Sequence, residues 1–311
     1  MIERGKSILF AKRETRIKPF RDEKVLTAWN GLMLAAFADA AAVLGSEEYL
    51  EVAKRNAEFL LNELVQKTDR EGGLNDQHPD PALSNGQASS GLRLLRTWKG
   101  GKAKLNGYIE DYANLADGLI GLYQVSGEIR YLDEAKRLAD AMITEFWDAE
   151  NGGFYFTSND HEELIVRNKD FFDNATPSGN SAAADVMLRL SKFYGDERYE
   201  RFAATTLRLA APQIKRYPGG FGRALSAVEF HISPAKEIAV VGERGNELER
   251  AVFDVYLPNS VIAISTGEGN VTIPLLQDKA NVNGSAAVYV CENFVCERPA
   301  TSIKELQSLI S

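Results

Sequence analysis

Two kinds of apolar pattern alternate along this chain. Leu26–Leu44 is apolar on nearly every face, as expected of a helix surrounded by other helices, whereas Glu47–Gln66 separates a charged face from an apolar one and reads as its outer partner. The pair recurs as Tyr108–Val125 with Tyr131–Trp147, and as Pro177–Tyr194 with Arg198–Ile214. Phe221–His231 then begins a fourth inner helix, which Pro234 stops. Each complete inner helix ends at a glycine (Gly45, Gly127 and Gly195), and counting back 15 residues from each reaches Asn30, Tyr112 and Asn180. The outer helices open near Tyr49, Tyr131 and Tyr199 and lead to Gly72-Gly73-Leu74, Gly152-Gly153-Phe154 and Gly219-Gly220-Phe221. Recurrence of turns as well as composition predicts stacked helical hairpins sharing one core.

Other stretches break this rhythm. Residues 1–21 are basic and irregular, a short surface helix and linker. The segment Lys67–Leu92 is dense in Asp, Pro, Gly, Ser and Asn, and reads either as a lid over a cavity or as a mobile insertion. Phe154–Thr157 and Leu164–Val166 flank a polar turn and predict a β-hairpin. Past Pro234 the period changes: Glu237–Gly242, Ser260–Thr266 and Ala286–Cys291 read as strands, with helices over Asn246–Tyr256 and Thr301–Ile310. The expected organisation is a mainly α chain, with helical hairpins over residues 1–234 followed by a small α/β module over 235–311.

Charge and composition narrow the function. A net charge of −8 without blocks of like sign argues against nucleic acid and anionic membranes as partners. The longest apolar run, Gly31–Ala38, is interrupted by Asp39, so no bilayer span is expected, and the N-terminus lacks the apolar core of a secretory signal. Two cysteines in 311 residues point to a reducing compartment, the cytoplasm, with Cys291 and Cys296 as free thiols. No spacing suggests a metal or a cofactor, and Gly242-Glu243-Arg244-Gly245 reads as a plain βα turn without P-loop spacing.

The chemistry-bearing residues gather where inner helices begin. In Asp173–Ser181, Thr176 is the expected N-cap and Pro177 the first helical residue. If the three loops face one hollow, Asp22, Glu110, Asp111 and Asp173 are the candidate acid/base groups. Lys24, Trp29, Asn30, Tyr108, Tyr112, Thr176, Ser178 and Asn180 are then the candidate binding groups, with Phe171 and Phe172 close by. Carboxylates beside aromatic rings suit sugars, because rings stack on C–H faces and a carboxyl pair can cleave a glycosidic bond. The plainer reading is equally concrete: Asp22 pairs with Arg21 or Lys24, Asp173 caps a helix, Glu110 and Asp111 favour a helix N-terminus, and the two asparagines satisfy loop backbone. Two carboxyls sharing an open pocket with Trp29 or Tyr112 would favour catalysis; carboxyls all engaged in caps and ion pairs would favour a scaffold.

The stretches Asp22–Met33, Asp111-Tyr112-Ala113, Ala175–Ser181, Pro234–Gly242 and Tyr289–Cys296 closely resemble the YyaL-like family, also called spermatogenesis-associated or thioredoxin-domain-containing proteins. The resemblance covers essentially the whole chain. It implies the C-terminal portion of an (α/α)6 toroid of the six-hairpin glycosidase type, similar to N-acylglucosamine 2-epimerases and several glycoside hydrolases. It also implies a thioredoxin-like domain and further hairpins upstream of the match. Only about twenty residues precede Asp22 here, and no Cys-x-x-Cys occurs. Three helix pairs and one extra helix cannot close a six-pair ring, so an upstream partner chain or self-association is expected to cover the exposed apolar face. A sugar 2-epimerase, which the resemblance ties to histidines, is disfavoured because His78, His161 and His231 fall away from the three loops.

Overall fold

The computed structural model describes residues 1–67, 91–159, 161, 165–266 and 273–310. An exposed helix, α1 (Ile2–Glu14), buries none of its residues. A two-residue strand β1 (Val25–Leu26) leads into the first hairpin, α2 (Thr27–Leu44) and α3 (Glu47–Glu63), followed by β2 (Val65–Lys67), β3 (Leu92–Lys99) and β4 (Lys102–Asn106). Two more hairpins follow: α4 (Ile109–Ser126) with α5 (Ile129–Phe146), and α6 (Gly179–Tyr194) with α7 (Glu197–Arg216). Helix α8 (Gly222–Ile232) stands alone. The tail comprises β5 (Lys236–Val241), α9 (Glu247–Phe253), β6 (Ser260–Ser265), β7 (Ala287–Glu292), β8 (Val295–Cys296) and α10 (Ile303–Ile310).

Helices α2, α4, α6 and α8 pack side by side as an inner row, and α3, α5 and α7 back the junctions. The result is an open arc of three helical hairpins and one further inner helix. Small residues set the inner spacing: a Cβ added to Gly31 would lie 2.5 Å from the Asn114 carbonyl carbon, and one on Gly179 would lie 2.3 Å from Ile109 Cγ2. The expected glycine stops are real. Gly45, Gly127 and Gly195 take φ of 59°, 69° and 64°, the left-handed conformation that an L side chain resists, and close α2, α4 and α6.

The tail sheet runs β6-β5-β7-β8, with β5 parallel to β6 and antiparallel to β7. Period-two alternation gives it two dry faces. Ala239, Val261 and Ala263 join the helical core, while Ile238, Val240, Ile262, Val288 and Val290 pack under α9 and α10. The tail also seats on the ends of the inner helices. Arg244 Nη2 donates 2.6 Å to the Val125 carbonyl, the Arg250 guanidinium stands where a Cβ would be on Gly45, and the Phe294 ring packs on Gly195. Cations at helix C-termini are favoured by the helix dipole.

Several expectations change. The strands β3 and β4, paired antiparallel through Leu95–Asn106 to Lys99–Lys102, have no counterpart in the hydrophobic pattern. Most of the segment read as a lid or an insertion, residues 68–90, lies outside the described residues. No strand forms at Phe154–Thr157: Phe154 makes one bridge to Trp147, and the Phe156 N–H bonds the Asn168 carbonyl. The N-cap of α6 is Ser178 rather than Thr176, so Pro177 precedes the cap; Ser178 Oγ accepts the Ser181 N–H. Cys291 and Cys296 are joined in a disulfide rather than free, because β7 and β8 place them directly opposite.

Candidate functional site

The starts of the inner helices do come together. The Ala28 N–H of α2 donates 2.9 Å to Asp111 Oδ1 on α4, and Gly179 of α6 lies against Ile109 and Glu110. What gathers there is mostly backbone held by side chains. Asp111 is buried; its Oδ2 accepts from the Tyr108 N–H at 2.9 Å and from Arg96 Nη1 at 3.0 Å, and the same Nη1 reaches Glu110 Oε1 at 2.9 Å. Burial pushes Asp111 up to about 6, against the lowering pull of Arg96 and the two backbone donors. The Arg96 guanidinium also lies 4.4 Å from the Tyr108 ring centroid, with Phe156 at 4.5 Å and His161 stacked at 5.3 Å. Placing His161 at this mouth corrects the expectation that it lies elsewhere.

Asp173 works as a cap for two elements. Its Oδ1 accepts from the Ser178 N–H at 2.8 Å, and its Oδ2 accepts from the first residues of α8, Arg223 N at 2.8 Å and Ala224 N at 3.1 Å. Asn180 mimics a peptide: Oδ1 accepts the Phe154 N–H at 2.8 Å, while Nδ2 donates to the Phe154 and Asp170 carbonyls, both at 2.9 Å. Tyr112 has the matching role in the preceding repeat, its hydroxyl accepting the Leu94 N–H at 2.9 Å. Each reaches to the main chain that follows the preceding outer helix. Asn30 instead bonds the carbonyl of Leu26, the residue just before its own helix. Thr176 is half-buried, its carbonyl accepting the Asn174 N–H. Asp22 and Lys24 sit on the surface as a turn, the ammonium 3.1 Å from Asp22 Oδ2; that ammonium and the turn N–H hold Asp22 below its ordinary value. Trp29 is 61% exposed.

A second set of charges lies farther along the helices themselves, with Asp185 buried and Asp39 at the exposed edge. Asp39 on α2, Asp117 on α4, Asp185 and Arg189 on α6, and Arg223 on α8 interact with one another across the inner row. Arg223 Nη2 is 2.7 Å from Asp117 Oδ1 and 2.6 Å from Asp185 Oδ2, and Arg189 Nε is 3.1 Å from the same Asp185 oxygen. The two guanidinium groups keep buried Asp185 below its ordinary value even though burial opposes them. Among the described residues Asp39 has no hydrogen-bond or ion-pair partner; partial desolvation, then the Asp117 charge, raises it. The sequence signal for this set was present: each aspartate interrupts an otherwise apolar helix, as in Phe37-Ala38-Asp39-Ala40 and Ala184-Asp185-Val186. Among the described residues no group of three or more His, Cys, Asp or Glu could hold a metal. A cleft of about 520 Å3 lies elsewhere, between the ends of α2, α3 and α9, lined by residues that include Leu50, Lys54, Arg244 and Arg250.

No family model matches the chain. Human spermatogenesis-associated protein 20 is 30% identical over 324 residues, covering 100% of this chain and 39% of the human protein. The whole of this chain aligns with part of spermatogenesis-associated protein 20. The family resemblance read from the motifs therefore holds. The rat spermatogenesis-associated protein 20 is likewise 30% identical, over 327 residues, and an uncharacterized protein of Caenorhabditis elegans is 27% identical over 315. The chain spans only 39% to 41% of the length of these relatives. Among solved structures, a family 76 α-mannanase from Bacteroides thetaiotaomicron superposes with a TM-score of 0.48 at 15% identity, over 75% of this chain and 57% of that one. The cellobiose 2-epimerase of Bacillus thermoamylovorans gives 0.44 at 18% identity, over 62% and 45%.

Proposed function

We propose that the arc is a carbohydrate-active surface of hydrolase type, with its acid/base pair on the inner row at Asp39 and Asp117 rather than in the loops. The supporting observation is the contrast within that pair. Asp39 is unpartnered among the described residues and raised, the condition of a proton donor, while Asp117 is held in an ion pair with Arg223. Carboxyls in such unlike surroundings divide into acid and base. In cleavage, Asp39 gives its proton to the glycosidic oxygen as that bond breaks, and Asp117 attacks the anomeric carbon or takes a proton from the attacking water. Exposed Trp29 lies ten residues toward the mouth on the same helix, about 15 Å away along its axis, and offers a ring to a second sugar. The four loop carboxylates are spent on caps, turns and ion pairs, the outcome that favours a scaffold, so the hydrolase reading rests on Asp39 and Asp117 alone. An oligosaccharide screen with a reducing-end readout tests the reading. Turnover that vanishes in Asp39→Asn with an unchanged melting temperature supports it; no turnover and no glycan-induced thermal shift for the unmodified chain sinks it.

A second reading, a scaffold completed by another helix, has its own observation. On α2 the exposed face carries Trp29, Met33, Ala36, Ala40 and Val43, alternating steps of four and three, with Met33 50% and Val43 63% exposed. By length and composition α2 could cross a membrane, yet its other flank is packed on α4. That stripe fits an amphipathic helix whose apolar residues recur at the same spacing, extending the inner row by one member. Sedimentation of the chain with and without such a helix separates this reading from a chain stable alone.

A further inference from the structure

The last hairpin of the tail is closed differently from any other turn described. Cys291 of β7 and Cys296 of β8 are directly opposed and joined by a disulfide. Between the strands, Asn293 and Phe294 both take left-handed φ, 50° and 61°. That two-residue geometry is the type I′ hairpin turn, whose second position strongly favours glycine. Asparagine tolerates a left-handed φ; a phenylalanine Cβ crowds its own carbonyl there. The turn is thus unfavourable by itself and is held from outside.

What holds it comes from β5 and from the end of α6. The Phe294 N–H donates 2.7 Å to Oε2 of Glu237, whose side chain is fully buried. Lys192 Nζ donates 3.1 Å to Asn293 Oδ1 and stands 3.8 Å from Glu237 Oε1. The Phe294 ring lies on Gly195, where an added Cβ would be 3.3 Å from its Cζ. The tip is therefore a wedge between the tail sheet and the end of an inner helix, and the disulfide ties off its base.

We propose that Cys291–Cys296 is a redox latch: oxidised, it keeps the wedge seated on α6; reduced, it lets the turn relax and the tail lift from that helix end. The reductant is a dithiol. Cys296 is exposed and Cys291 buried, so the first thiolate attacks Cys296 Sγ and Cys291 leaves as the thiol. The second thiol of the reductant then displaces Cys296, the dithiol closes to its own disulfide, and two electrons and two protons have passed to the cysteines.

Hydrogen exchange at the Phe294 amide and chymotryptic cleavage after Phe294 read the latch in the full chain, with and without dithiothreitol. Reduction is expected to speed both by about tenfold or more while the amides in the middle of α4 and α6 stay protected. Equal rates in the two states, or absence of the disulfide by thiol titration after oxidation with glutathione disulfide, overturns the proposal. Cys291→Ser/Cys296→Ser should match the reduced protein and ignore dithiothreitol; retention of full protection in that variant overturns it too. Should the variant fail to fold, the wild-type comparison still decides.

Discussion

The mouth of the arc and the middle of its inner row are both rich in carboxylates, and they treat them oppositely. At the mouth, Asp111 and Asp173 face backbone N–H groups at the starts of helices, where each oxygen ends a chain of peptide dipoles. In the inner row, Asp117 and Asp185 face guanidinium groups, and Asp39 faces no partner among the described residues. A carboxylate bonded to backbone donors is committed to the fold, whereas one set among side-chain charges is not.

The contrast breaks most readily at the mouth. Asp173→Ala leaves three backbone donors unanswered and is expected to cost about 2–4 kcal/mol by denaturant unfolding, and Asp111→Ala a similar amount. Asn180→Ala, which strips the same bonds from Phe154 and Asp170, should cost about 2–3 kcal/mol, whereas Tyr112→Phe should cost only about 1–2 kcal/mol. A pH series sharpens the picture. The folded value of Asp111, about 6, lies above that of an unfolded aspartate, so its proton-linked stability is complete below about pH 4 and is lost as pH rises through 6. The stability difference between wild type and Asp111→Asn should shrink across that window; a difference that grew would show that the backbone donors outweigh burial. The smallest effect belongs to Asp39→Asn, expected within about 0.5 kcal/mol of wild type because no partner is lost.

The helical repeat was legible because its punctuation is local. Gly45, Gly127 and Gly195 announce themselves through a left-handed conformation that ends a helix locally. The inner and outer roles followed from periodicity for the same reason. The strands β3 and β4 were missed because Leu92–Lys99 becomes a strand through distant partners: Thr27 Oγ1 on the Leu95 carbonyl, Val65 opposite Leu94, and the Tyr112 hydroxyl on Leu94 N–H. The α6 cap moved from Thr176 to Ser178 because Asp173 captures the Ser178 N–H, a competition between two good capping residues that spacing does not resolve. The loop carboxylates drew attention by standing beside aromatic residues. Asp39, Asp117 and Asp185 did not, since helices otherwise apolar hide a single acid in a run of alanines and leucines.

The tail's seat on the inner-helix ends has a consequence for how the molecule comes apart. A methyl group on Gly45 would fall 1.8 Å from Arg250 Nη1, so that glycine is demanded twice, once by its own backbone and once by a residue two hundred positions away. Three such junctions tie residues 236–310 to three separate hairpins at once. Calorimetry should accordingly record a single cooperative melt for the whole chain, and cutting after Ser233 should unsettle every hairpin together rather than free a tail that folds on its own.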